Sequence, residues 1–118
     1  MDIFPTVAEL AGLPAPKVPQ PIDGVSLVPV LKKPTARVRD HAFHAYPRGR
    51  KLGRAIRTER YRLVEWKNHS DATVPVDYEL YDYEADPWET QNHYDTKPGV
   101  VKKLKAILAK YPAPKTRK

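Results

Sequence analysis

Cysteine is absent from the 118 residues, and glycine (5), phenylalanine (2) and methionine (1) are scarce. Without cysteine there is no disulfide framework, no thiolate metal site and no cysteine nucleophile. No stretch approaches the ~20 consecutive apolar residues of a membrane-crossing helix, and the start lacks the charged-then-apolar layout of a signal peptide. Positive charge is missing from Asn68 to Thr96, where Asp71, Asp77, Glu79, Asp82, Glu84, Asp86, Glu89 and Asp95 accumulate. An acidic block in mid-chain interrupts the continuous basic face that a general nucleic-acid binder carries, which argues against that class.

Proline, by contrast, is abundant, and Lys and Arg outnumber Asp and Glu by 21 to 14 for a net charge of +7. The excess is local. Seven cations lie between Arg48 and Arg62 with Glu59 as the only acid, and the chain turns basic again from Lys102 onward. The length suits one small domain.

The pattern changes twice along the chain. Ile3, Val7, Leu10 and Ala11 recur at helical spacing, with Pro5 in the first turn and Gly12 at the end, which predicts a short helix with one apolar face. So short a helix must dock on a larger body. Six prolines between Leu13 and Pro34 predict an extended tether, with a turn at Asp23-Gly24. Val25–Leu31 reads equally as a helical turn or an extended run. From Asp40 the runs are β-prone. His41–Tyr46 alternates and is expected to stop at Pro47. Leu52–Arg57 and Tyr61–Trp66 flank Thr58-Glu59-Arg60 as a hairpin, with Tyr61, Leu63 and Glu65 on one face and Arg62, Val64 and Trp66 on the other. Val76–Asp82 makes a fourth strand. A final helix opens at Pro98-Gly99 and carries Val100, Val101, Leu104, Ile107, Leu108 and Tyr111 on its apolar side. Lys102, Lys103, Lys105 and Lys110 fall on its polar side, Pro112 and Pro114 stop it, and the tail Lys115–Lys118 is expected to fray. The fold class is α+β: a small antiparallel sheet of about four strands packed with a C-terminal helix, plus a short N-terminal helix and a Pro-rich extended segment. The division expected is a helix and tether over 1–39 and a sheet subdomain over 40–118.

These motifs, in this order, resemble the C-terminal portion of a type I sulfatase of the iduronate-2-sulfatase-like branch. The residues concerned are Asp2–Leu13, Asp23–Leu31, Ala45-Tyr46-Pro47-Arg48, Ala55–Leu63, Glu79–Asp82 and Asp86-Pro87-Trp88-Glu89 with Asn92. The resemblance implies a sulfuric ester hydrolase whose nucleophile is a formylglycine made from a C/S-x-P-x-R motif. Ser26 and Ser70 do not stand in that motif. It also implies that formylglycine, calcium and the catalytic residues belong to a preceding catalytic domain, the partner of this chain. The chain's own role is then to complete the fold and line the substrate cleft, without catalytic or metal-ligating residues and without activity alone. Family members are often exported or lysosomal. Sulfated carbohydrate is the ligand class so implied.

Within that frame the Tyr-Pro-Arg segment lies toward the substrate cleft, which nominates His44, Tyr46 and Arg48, although His44-Ala45 stand where the iduronate-type pattern reads Ser-Gln. A planar guanidinium binds oxyanions bidentately. Arg54 and Arg57, with Arg60 and Arg62, form a candidate anion-facing strip, and a stand-alone polysaccharide-binding module built on that Arg-rich hairpin is the alternative function. Cross-strand pairing with Glu59, Glu65, Asp77 and Glu79 is the simpler role for the same arginines. Asp40-His41 reads as structural, because adjacent strand residues face opposite ways. Tyr61, Trp66, Tyr78, Tyr81, Tyr83 and Trp88 read as sheet and core packing, and Asp86, Glu89 and Asn92 as turn and cap residues.

Overall fold

The computed structural model describes residues 1–15 and 17–113, so the expectations for Pro16, Pro114 and the tail Lys115–Lys118 lie outside the described residues. Contacts divide the chain into two compact units, Met1–Asp40 and His41–Lys118. In the first unit α1 (Ile3–Leu10) ends in a turn at Ala11 and Gly12, whose φ is +67°. The open question at Val25–Leu31 resolves as a helical turn, α2 (Val28–Lys32). The inner surface of this unit is made by Thr6, Ala8 and Val28. The Thr6 hydroxyl donates to the Asp2 carbonyl at 2.5 Å and accepts the Leu27 N–H at 2.9 Å. The Asp2 carboxylate receives the Val25 N–H and the Arg39 guanidinium. Ile3, Val7 and Leu10 of the apolar stripe, and Phe4 beside them, are all more than half exposed.

The second unit is an antiparallel meander in the order β1 (Ala42–Arg48), β2 (Lys51–Arg57), β3 (Tyr61–Asn68), β4 (Asp77–Asp82), followed by α3 (Pro98–Leu108). Strand β1 does not stop at Pro47. That residue pairs with Leu52, and it is tolerated because β1 is an edge strand whose missing N–H costs no ladder bond on the outer side. Helix α3 covers one face of the sheet. Val101, Leu104 and Leu108 pack on Ile56, Leu63 and Leu80 in a single core, flanked by Phe43, Tyr61 and Tyr111. Phe43 stacks on Tyr111 at 4.2 Å, and His41 Nε2 lies 2.8 Å from the Tyr111 hydroxyl. Each buried Leu of this kind contributes about 1.5–3 kcal/mol relative to exposure.

A buried charge and a backbone return hold the ends of the sheet together. Asp82 is fully buried and receives two hydrogen bonds of 2.9 Å from Arg60, one from Lys97 and one from the Glu84 N–H. The Arg60 guanidinium is the main reason its carboxyl lies well below the ordinary carboxylate range; burial opposes the shift and Lys97 reinforces it. Beyond β4, the chain doubles back along the strand's outer edge: Asn92 Oδ1 accepts the Leu80 N–H, Asn92 Nδ2 donates to the Tyr78 carbonyl, and His93 N–H donates to the Leu80 carbonyl. Lys105 differs from expectation. It leaves the solvated stripe to lie 3.7 Å from the Tyr78 ring and to donate to the Tyr94 hydroxyl, a cation–π contact that its long stem permits.

Candidate functional site

Alternation along each strand sends Phe43, Arg54, Ile56, Leu63 and Leu80 toward α3, and His44, Tyr46, Arg48, Ala55, Val64 and Trp66 to the opposite, outer face. The outer face has an apolar floor. Ala55 and Val64 are buried there, rimmed by His44, Tyr46, Arg62, Trp66 and Glu79, around a cavity of about 240 Å³. His44 and Tyr46 are exposed along β1, and Arg48 follows two residues on in the same direction. The three residues nominated from the sequence therefore share one face of β1, with His44 and Tyr46 at this cavity and Arg48 beyond it.

Trp66 is the centre of this surface. Gly53 lies between Tyr46 and Trp66 in the register of β1, β2 and β3. A Cβ on Gly53 would stand 2.6 Å from Cζ3 of the indole, so only glycine lets that ring lie across β2. The indole in turn carries the Arg48 guanidinium 5.9 Å from its centroid. The sequence offered a lone glycine within a β-run as the signal for such a close approach, and the reading above did not use it.

The other nominated cations fare differently. Arg54 is not anion-facing. It is 7% exposed, turned toward α3, and donates to Glu65 at 2.5 and 3.0 Å and to the carbonyls of Tyr111 and Pro112. A buried guanidinium takes every acceptor it can reach, and here the acceptors are the cross-strand carboxylate and the last carbonyls after α3. Arg57 does lie on the outer face, yet its guanidinium closes the hairpin by donating to the Thr58 and Glu59 carbonyls and lies 3.6 Å from the Tyr83 ring. Arg60 pairs with Asp82 and Glu84, and Arg62 with Glu89. The hairpin arginines are thus engaged internally.

At the β1–β2 turn, Arg48 and Arg50 have no acidic partner among the described residues. Gly49 opens that turn at φ +57°, as a two-residue hairpin of type II′ requires.

Glu89 takes a left-handed φ of +56° and is held by Arg62 and the Tyr83 hydroxyl. Burial first, and then the Glu79 carboxylate, raise the Tyr81 phenol. Trp88 departs from the packing expectation: it is 87% exposed, because Asp86 gathers the Trp88 and Gln91 N–H groups into a turn that throws the side chain outward. Among the described residues no group of three or more His, Asp or Glu is placed to hold a metal ion, and no helix is long and apolar enough to cross a membrane.

A family model described as N-sulphoglucosamine sulphohydrolase, C-terminal, matches residues 1–113. The chain belongs to this sulfatase family. Among solved structures, BT4656 in complex with its substrate D-glucosamine-2-N,6-O-disulfate is 29% identical over 92% of this chain and 22% of its own, with a TM-score of 0.73. The putative sulfatase yidJ from Bacteroides fragilis is 17% identical over 92% of this chain and 23% of its own, at a TM-score of 0.74. A Bacteroides thetaiotaomicron protein from work on the metabolism of multiple glycosaminoglycans is 23% identical over 92% of this chain and 24% of its own, at 0.66. These last two likenesses show the fold. No curated protein matches the chain. The sulfatase C-terminal subdomain thus spans less than a quarter of the length of the solved structures it matches.

Proposed function

We propose that this chain is the C-terminal lobe of a sulfatase acting on sulfated glycosaminoglycan sugars, and that its outer sheet face forms one wall of the substrate cleft. The observation that carries the reading is the family match over residues 1–113, joined to the placement of His44, Tyr46 and Arg48 on one outer face of β1. Sulfate-ester cleavage needs a strong nucleophile, a divalent cation and a leaving-group acid. In this reading a catalytic lobe supplies them, formylglycine and calcium included. Arg48, exposed and without an acidic partner, holds a sulfate or carboxylate oxygen pair. Tyr46 and Trp66 bound the sugar ring, and His44 offers a ring nitrogen to a hydroxyl. The exposed apolar stripe Ile3, Val7 and Leu10, with Phe4 beside it, supports the same assembly, since a helix with its apolar side outward wants a covering surface.

Two substrates divide the narrower reading. The family description and the substrate of BT4656 favour a sulfated glucosamine. The Ala45-Tyr46-Pro47-Arg48 run favours the iduronate-2-sulfatase-like branch. The alternative of a free-standing binder built on the hairpin arginines Arg54, Arg57, Arg60 and Arg62 is disfavoured by the internal engagement of those arginines.

The test is a chimera in which this chain replaces the matching segment of BT4656, assayed for inorganic sulfate released from glucosamine 2-N,6-O-disulfate and from iduronate 2-sulfate. Sulfate release is expected, with Arg48→Ala and Tyr46→Ala each lowering kcat/KM at least tenfold. A folded chimera without activity, or full kcat/KM in both variants, overturns the proposal.

A further inference from the structure

Trp66 and Glu79 line two hollows, not one. Beside the cavity at His44 and Tyr46 lies a larger one of about 640 Å³ at the β1–β2 turn, bounded by Arg48, Arg50, Lys51, Trp66, Asp77 and Glu79. Apart from Tyr78, its strand residues come from the same outer face, and the two hollows share Trp66 and Glu79, with the indole as their common wall.

We propose that this second hollow is a subsite for a further, negatively charged sugar of the same polysaccharide. The proposal rests on the cleft-wall reading above and adds a position to it. Three features select the ligand class. The indole, laid flat by Gly53, offers an apolar platform of the kind that sugar C–H faces stack on. Arg48 and Arg50 have no acidic partner among the described residues, so two guanidinium forks are available for a sulfate or carboxylate.

Asp77 and Glu79 also face the hollow. Asp77 is paired with Lys51 and more than half exposed, leaving acceptor capacity for hydroxyl donors. A bare anion needs neither the indole nor the acceptors. A polynucleotide, with its unbroken row of phosphates, is repelled by the two carboxylates. A sugar with one charged substituent and several free hydroxyls uses all three kinds of group.

The two tryptophans allow a direct test. In a Trp88→Phe background, which removes a solvent-exposed ring, fluorescence reports Trp66 alone. The complete 118-residue chain is titrated with a 2-N,6-O-sulfated heparin disaccharide, with the same disaccharide desulfated, and with sodium sulfate. The sulfated disaccharide is expected to shift Trp66 emission at concentrations at which sodium sulfate does not. Arg50→Ala is expected to weaken it at least tenfold, with Lys103→Ala on the exposed side of α3 unchanged. Equal losses in Arg50→Ala and Lys103→Ala would reduce the effect to net charge and overturn the subsite. So would a response to sulfate equal to that of the sugar, or a silent Trp66. No catalytic turnover enters the readout, so loss of this subsite leaves the sulfatase reading standing, and an inactive chimera leaves the binding result standing.

Discussion

Substituting Gly53→Ala isolates the contact on which the outer face is built. The backbone at Gly53 is not in the left-handed region, so alanine fits the strand and would by itself stabilise it by about 0.4–1 kcal/mol through the unfolded chain. The new Cβ, however, would meet Cζ3 of Trp66 at 2.6 Å and Cε3 and Cη2 at 2.9 Å. Carbon atoms pack at about 3.5–4.0 Å, so the indole must retreat by roughly 1 Å. Leaving its rotamer well costs about 0.5–1.5 kcal/mol, and overpacking of this kind typically costs about 1–3 kcal/mol. The net expectation is a loss of about 1–2 kcal/mol. Urea denaturation in the Trp88→Phe background measures it, while Trp66 emission reports whether the ring has moved. Adding Trp66→Leu removes the obstruction, so the double variant should recover at least ~1 kcal/mol relative to additivity. A Gly53→Ala protein as stable as its parent, with unaltered Trp66 emission, refutes the argument.

Other perturbations probe the remaining supports. Arg54→Met leaves Glu65 buried and short of its ion-pair partner, and should cost about 3 kcal/mol in chemical denaturation; Arg54→Met with Glu65→Leu should recover at least half of that loss. Because the Asp82 carboxyl is held low by Arg60, the stability it contributes is complete above the unfolded value near pH ~4 and is lost as pH falls below it. Asp82→Asn should therefore flatten the acid limb of a pH-stability curve, and an unchanged limb counts against the assignment. Leu104→Ala in α3 should destabilise by about 2–5 kcal/mol, measured as a lower urea midpoint at unchanged slope. Val7→Glu in the exposed stripe of α1 should lower self-association in sedimentation velocity; a chain that is monomeric without the substitution argues against a docking role for that helix.

Much of the architecture was legible in the sequence because alternation and helical spacing are local signals. Tyr61, Leu63 and Glu65 do face away from Arg62, Val64 and Trp66, and Val101, Leu104 and Leu108 do form the buried side of α3. What escaped reading depended on position within the assembled sheet. Pro47 reads as a strand stop until β1 is known to be an edge. Arg54 looks like a surface cation until the end of α3 brings two carbonyls to it. Trp88 carries the composition of a core residue and the geometry of a loop tip. His44, Tyr46 and Arg48 were nominated by the resemblance of the Tyr-Pro-Arg segment, and only the continuation of β1 past Pro47 sets all three on one face. The role of Gly53 was not visible, because it concerns a ring that arrives from the neighbouring strand.

The return of Asn92 and His93 along β4 has a consequence for how such molecules meet one another. One margin of the sheet is closed by its own chain, while among the described residues no strand pairs with the outer side of β1. Recruitment of a foreign strand along β4 is therefore blocked where Asn92 and His93 bond, and Pro47 removes a donor from β1. A fibre that grows strand by strand needs two open margins, and the β4 margin of this sheet is already occupied at Tyr78 and Leu80.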